Sequence, residues 1–384
     1  MSIIERPLAR SDPSYRYQAT EGLIVRLLAS FSELVRLGAA YDRAPCYPEQ
    51  SMAILIETGA QAHFAPPESG GAMFRDALEE NTSLFDVLRI VGRSDLSLGR
   101  LFEGHINAMK LFGWFGTSVQ KHALYDRLQK GALYGVWATE PPPGVEIHRG
   151  KSGRILEGRK MFASGAGGLN FAIITARTPE GEVQLISVPG NVGKRADTSR
   201  WLVRGMRSTM SGTYDVSGFE PGNQDYLGKP GDYAIEPRFT AGAWRFLAVQ
   251  LGGIEALLAE TRTNMSDNAR SDPLQRQKFG EAVASARTAY LWVREAARRA
   301  AEESVDAPSV VRMARGVVER SALDVMELSA RIVGTRSAFD DQRIDKIIRD
   351  LGLYLRQAGP DQARDQAAIA WLDHDAWGDG DLLW

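Results

Sequence analysis

The feature that most constrains this chain is a double change of periodicity, from helical to strand-like and back. Residues 20 to about 130 space their apolar positions as helices do, for example in Thr20-Glu-Gly-Leu-Ile-Val-Arg-Leu-Leu-Ala. Proline punctuation at Pro45, Pro48 and the Ala65-Pro-Pro-Glu-Ser-Gly-Gly71 loop divides them. Residues 131 to about 235 switch to short β-runs. Phe171-Ala-Ile-Ile-Thr-Ala, the Thr178-Pro-Glu-Gly181 turn and Val183-Gln-Leu-Ile-Ser-Val predict a hairpin. From about 236 the helical period returns. Val311, Ala314, Val318, Ala322, Val325 and Leu328 fall at steps of three or four, as do Ala282, Ala286, Ala289, Val293, Ala297 and Ala300. Pro308 marks a helix start and Gly334 a helix end.

Helices, then strands, then helices, without βαβ alternation, exclude a doubly wound sheet. They predict an α+β chain of three parts: an N-terminal helical domain (1–130), a central β-domain (131–235) and a C-terminal helical bundle (236–384). At 384 residues, two or three packed units are expected. A net charge of −2 gives no case for nucleic acid or an anionic membrane surface. The lone Cys46 excludes a disulfide framework and a cysteine metal site, and fits a reducing cytoplasm. The first residues do not read as a signal peptide, and no apolar run is long enough to span a bilayer. A cytoplasmic protein is expected.

The chemistry concentrates in two segments of the β-region. Tyr134-Gly-Val-Trp-Ala-Thr-Glu-Pro-Pro-Pro-Gly144 ends a short strand in a proline-stiffened turn, and Gly158-Arg-Lys-Met-Phe-Ala-Ser-Gly165 ends another in an aromatic and a hydroxyl. Together they suit a flat, polar-edged heterocycle: Thr139 and Ser164 offer hydroxyls and backbone N–H groups to ring edges, and Phe162 a face. Ser164-Gly-Ala-Gly-Gly-Leu-Asn170 superficially resembles a dinucleotide loop, but a strand follows where a helix would have to start. The histidines at 63, 105, 122, 148 and 374 show no metal-ligand spacing, and Asp373-His-Asp375 reads as a solvated terminal segment. His105, in a largely apolar helical stretch, reads first as a satisfied core histidine and second as a catalytic acid or base. The Gly/Asp-rich end, 377–384, reads as a surface extension.

These segments resemble the flavin-binding middle domain of the acyl-CoA dehydrogenase superfamily, which reads roughly Thr-Glu-Pro-x-x-Gly-Ser and then Gly-x-Lys-x-Trp-Ile-Thr. Arg204-Gly-Met-Arg-Ser-Thr-Met-Ser-Gly-Thr-Tyr-Asp-Val216 and Tyr226-Leu-Gly-Lys-Pro-Gly231 are similar to the end of that domain. Gly252-Gly-Ile-Glu-Ala-Leu-Leu-Ala-Glu, Glu327-Leu-Ser-Ala-Arg-Ile-Val-Gly334 and Ile347-Ile-Arg-Asp350 are similar to landmarks of the C-terminal bundle, so the resemblance runs from about residue 48 to 360. It implies an N-terminal helical domain, a small central β-barrel or sheet and a C-terminal four-helix bundle, assembled as a homodimer or homotetramer. It also implies FAD, with FMN as the alternative, lying against Ala138, Thr139, Phe162 and Ser164. Arg270, Arg331 and Gly334 would contribute from the helical side. The implied substrate is a small molecule, an acyl-CoA among the candidates.

The departures bear on function. The glutamate that in the superfamily removes the α-proton of an acyl-CoA aligns with Ala358, and its alternative location with Gly242. The serine after Thr-Glu-Pro aligns with Val145, and a glutamine and second glycine of the bundle with Arg331 and Thr335. The resemblance therefore implies a flavin-dependent oxidoreductase without the usual base. Its alternatives are a flavin monooxygenase of the same fold, with His105 as a donor near the flavin, and a degenerate binding or structural protein.

Overall fold

A computed structural model describes residues 13–150, 153–357 and 359–372. Ala358, the Asp373-His-Asp375 cluster and the Gly/Asp-rich end fall outside them. Seven helices come first: α1 (Pro13–Ala29), α2 (Phe31–Arg43), α3 (Glu49–Glu57), α4 (Ala60–His63), α5 (Ala77–Ser94), α6 (Leu96–Phe115) and α7 (Ser118–Gln129). Their starts are set by short polar side chains. Asp76 Oδ1 accepts from Glu79 N at 2.8 Å, Asp95 Oδ1 from Leu98 N at 2.8 Å, and Thr117 forms a capping box with Gln120.

Nine strands follow: β1 (Tyr134–Trp137), β2 (Glu146–Arg149), β3 (Arg154–Glu157), β4 (Arg159–Ala163), β5 (Phe171–Arg177), β6 (Val183–Pro189), β7 (Ala196–Asp197), β8 (Gly212–Asp215) and β9 (Tyr226–Leu227). One sheet runs β3-β2-β5-β6-β9, with β1 parallel to β5; a second runs β4-β8-β7. The expected hairpin is β5–β6, in register from Phe171↔Pro189 to Arg177↔Val183.

The chain returns to helix in α8 (Arg238–Ala241), α9 (Trp244–Asn264), α10 (Asp267–Ser271), α11 (Pro273–Ala301), α12 (Ala307–Val333), α13 (Arg343–Tyr354) and α14 (Pro360–Leu372). The periodic alanines of α11 and valines of α12 are the buried ones, and these helices pack on each other and on α9. Where α5 crosses α9, backbones nearly touch: a Cβ on Gly92 would lie 2.4 Å from Val249 O, and one on Gly252 2.3 Å from Arg89 O. One extended apolar cluster joins all three parts, from Leu84 through Ile174 to Val318.

The Arg349-Asp350 pair of α13 ties the three parts together. Asp350, 1% exposed, accepts from Met206 N at 2.5 Å and from Lys346 Nζ at 2.6 Å, and that ammonium also meets Asp95 Oδ2 at 2.6 Å. Burial raises the Asp350 carboxyl above the usual carboxylate range. Burial also works against the Lys346 charge, but Asp350 and Asp95 outweigh it and hold the ammonium above its ordinary range. Arg349 pairs with Asp42 at 2.7 Å and Asp345 at 2.6 Å. Gly205 allows this docking, since a Cβ there would stand 2.0 Å from Arg349 O.

Candidate functional site

The Thr139 turn is clamped to β4 from below. Lys160 is fully buried; it pairs with Glu140 and donates to Thr175 Oγ1 at 2.7 Å, while Met161 N donates to Thr139 O at 2.9 Å. A bulge then interrupts the β4–β8 pairing between Lys160 and Ala163, and Phe162 sits at φ +50°. A bulky residue in the left-handed region costs roughly 1–3 kcal/mol and persists only where its surroundings impose it. Its consequence here is a ring left 59% exposed.

Phe162, Thr139 and Ser164 line one cleft of about 460 Å³, faced by Trp201, Met206 and Tyr354. Thr209 Oγ1 donates to Met206 O at 2.9 Å, so its contact with Ser211 Oγ (2.8 Å) must be an acceptance; Ser211 in turn accepts from Ser164 at 2.9 Å. The chain of hydroxyls therefore has one polarity. With its own proton committed, Ser164 turns a lone pair to the cleft, so the donor role expected from sequence becomes an acceptor role. Opposite, the Tyr354 hydroxyl is buried with no hydrogen-bond partner among the described residues, and burial pushes its pKa well above the ordinary value. Such an orphaned buried hydroxyl is costly unless a ligand answers it.

A second cavity, of about 580 Å³, adjoins the cleft between α6, α8, α9, α12 and α14. A polar relay connects the two. With its amide turned oxygen-first, Gln357 accepts from Arg100 Nε and Nη2 at 3.1 Å each. Arg100 pairs with Glu103, Glu103 accepts from Asn107, and Asn107 Oδ1 accepts from Arg245 Nε at 2.5 Å. Arg100, Glu103 and Asn107 sit at i, i+3 and i+7, which puts them on one face of α6. Gln357 lines the cleft and Gly359 the cavity. Gly242 also lines the cavity.

The other expected site residues lie elsewhere. Ala138 precedes the cleft, its carbonyl accepting from Thr175 Oγ1 at 3.3 Å. Arg270 donates to the carbonyls of Met265 and Arg262 at the end of α9, exposed Arg331 pairs with Glu327 at 2.6 Å, and Gly334 (φ +72°) ends α12. None of the three lines the cleft. Val145 is a core residue.

His105 is fully buried on the far side of α6: Nε2 donates to Gln61 O at 2.7 Å and Nδ1 accepts from Tyr134 N at 3.1 Å. Both nitrogens are spent, which corrects the catalytic role and leaves the core reading. Burial lowers its pKa from 6.5 to about 4. The unfolded chain protonates near pH 6.5 and the folded chain only near 4. Stability present above pH ~6.5 is therefore lost as pH falls through that window, by a few kcal/mol at most for this residue. Urea unfolding of wild type and His105→Gln at pH 7 and pH 4.5 checks it. The wild type should lose on the order of 1–3 kcal/mol more than the variant, and equal losses would show a normally titrating histidine.

Sequence reasoning missed Arg100, Trp201, Tyr354 and Gln357. Charged and amide residues at helical spacing within the otherwise apolar α6 were a usable signal for the relay. Trp201, Tyr354 and Gln357 carried none.

Residues 231–368 match the sequence profile of the acyl-CoA dehydrogenase C-terminal domain. Almost the whole chain, 97%, also superposes on all of butyryl-CoA dehydrogenase from Megasphaera elsdenii, with TM-score 0.78 at 16% identity. The C-terminal part thus carries that family's domain, and the chain as a whole has the acyl-CoA dehydrogenase fold. The chain is also similar to dibenzothiophene monooxygenase (TdsC) from Paenibacillus sp. A11-2, with TM-score 0.81, 19% identity, and 93% of this chain and 97% of that one covered. A dibenzothiophene monooxygenase of Mycolicibacterium goodii is 24% identical over 314 residues, 69% of this chain and 74% of the relative. One from Rhodococcus erythropolis is 24% identical over 243 residues, 55% and 58% respectively. The chain thus spans 74% and 58% of the length of these two curated relatives. Among the described residues, no helix is long and apolar enough to cross a membrane, and no cluster of metal-ligating side chains occurs.

Proposed function

We propose that this chain is a flavin-dependent monooxygenase that takes reduced flavin and dioxygen to an organic substrate. The observation that carries this reading is the wall of the Thr139–Phe162–Ser164 cleft: among the described residues it holds no carboxylate. The carboxylate at its border, Glu103, is engaged by Arg100 and Asn107. Abstracting an α-proton from a thioester needs a free, positioned base; activating oxygen on a reduced flavin does not. The flavin, when bound, supplies two electrons, so that one oxygen atom of O₂ enters the substrate and the other leaves as water.

The residues present fit such a group. Phe162 offers a ring face, Ser164 an acceptor for a ring N–H, Thr139 a hydroxyl at the edge, and Tyr354 a buried donor without a partner among the described residues. Arg100 and Gln357 stand between cleft and cavity, where they orient what crosses and limit entry of water. We favour FMN over FAD, because Arg270 spends its guanidinium on backbone carbonyls and Arg331 pairs within its own helix. The FMN-bound form of TdsC, 20% identical, supports the same choice. The three-domain division and homo-oligomeric assembly are retained as part of this proposal.

The test uses chemically reduced FMN, ¹⁸O₂ and a panel of aromatic substrates that begins with indole. Label in the product is the expected result; peroxide alone across the panel counts against oxygen transfer. Thr139→Val with Ser164→Ala should weaken FMN binding about tenfold, since two neutral hydrogen bonds contribute roughly 0.5–1.5 kcal/mol each. Unchanged equilibrium dialysis of that double variant would move the site away from the cleft.

A further inference from the structure

The cavity beside the cleft has a composition that the flavin does not explain. Four arginines line it: Arg238, Arg245, Arg312 and Arg315. Its two carboxylates are occupied, Glu103 by Arg100 and Asn107, and Asp232 by the backbone N–H of Lys229 at 2.7 Å. Arg238 is offset by Glu303 at 2.7 Å. Arg312 meets only the neutral Thr240 hydroxyl, at 3.4 Å, and forms no salt bridge among the described residues. Arg245, 8% exposed, likewise has no carboxylate within salt-bridge distance there; its Nε contact is the Asn107 amide. Arg315 lies one helical turn from Arg312; its Nη2 donates to Gln357 O at 3.3 Å, and its guanidinium stands 5.4 Å over the Phe246 ring. Trp114 and Phe239 add flat apolar wall.

We propose that this cavity is the substrate site and that it takes an aromatic anion, a planar apolar body bearing a carboxylate or a like oxyanion. The proposal rests on the monooxygenase reading for the reaction, but not for the binding. A guanidinium fork pairs with two oxygens at once, so Arg312 suits a planar oxyanion, with Arg315 adding positive charge beside it, while the aromatic side chains hold the ring. Burial first, and the Arg312 charge second, depress the Arg315 pKa, and burial depresses that of Arg245. An anion relieves both costs. A neutral ligand of equal shape would leave the Arg312 charge with only the Thr240 hydroxyl, which is how the site rejects it.

Isothermal titration with 1-naphthoate and its near-isosteric neutral amide, 1-naphthamide, tests this, with FMN retention measured in parallel. Naphthoate should bind at least tenfold more tightly than the amide. Arg312→Gln should weaken naphthoate about 10- to 100-fold, the span of one charge-assisted hydrogen bond, and change naphthamide less than twofold. Arg312→Lys, which keeps charge without the fork, should fall between. Equal affinity of the two ligands, an unaffected Arg312→Gln, or no binding of either ligand overturns the proposal. Wild type that holds FMN yet fails to discriminate overturns this inference alone. Wild type that takes naphthoate but no FMN in either redox state overturns the flavin reading alone.

Discussion

Replacing Asp350 with Ala is expected to cost about 3–5 kcal/mol of stability, the usual result of removing one partner from a buried ionic cluster. The variant leaves Met206 N–H without its acceptor and Lys346 with only Asp95. It also loosens the C-terminal end of α13 and the residues just after it, which supply Leu353, Tyr354 and Gln357 to the cleft. Loss of FMN affinity should therefore accompany loss of stability. Urea denaturation followed by circular dichroism measures the first effect and equilibrium dialysis the second. A loss below about 1 kcal/mol would mean that the cluster contributes no more than a surface pair. Asp350→Asn, which keeps the shape and one acceptor, should fall between the two.

The second large effect follows from the proposal that no positioned base is present. Under anaerobic conditions, wild type loaded with oxidised flavin should bleach with butyryl-CoA at least about 10²-fold more slowly than an enzyme with a positioned base, because such a base typically contributes 10²–10⁴-fold. Ala358→Glu should restore slow bleaching at most, since an error of about 1 Å in placing the new carboxylate costs roughly 10²-fold. Gly242→Glu should restore none: a Cβ there already stands 2.6 Å from Arg245 Nη2, so the longer side chain must displace that arginine. Rapid bleaching by wild type would return the chain to the dehydrogenases and make Glu103 the residue to test next.

Much of the fold was legible in the sequence because it rests on local rules. The alanine stripe of α11 and the valine stripe of α12 are buried as their spacing requires, and the Thr178–Gly181 turn lies between β5 and β6. The Thr139, Phe162 and Ser164 part of the cleft was legible for the same reason, since two short adjacent strand ends carry it. The opposite wall was not. Tyr354 and Gln357 reach the cleft only because Arg349-Asp350 docks α13 on Met206 and Asp42, contacts that span 144 and 307 residues.

By itself the sequence determined the helix–strand–helix order and the stiff Thr-Glu-Pro turn, and it raised the expectation that Ala358 and Gly242 stand where the superfamily has its glutamate. These follow from side-chain period, backbone restriction and residue identity at aligned positions, none of which needs distant contacts. The tertiary structure alone decided that His105 is a buried core residue, that the Ser164 hydroxyl is engaged by Ser211, and that four arginines from α8, α9 and α12 converge on one cavity. Hydrogen-bond polarity, burial and charge balance depend on which groups face one another across the packed interior, and spacing along the chain does not encode that.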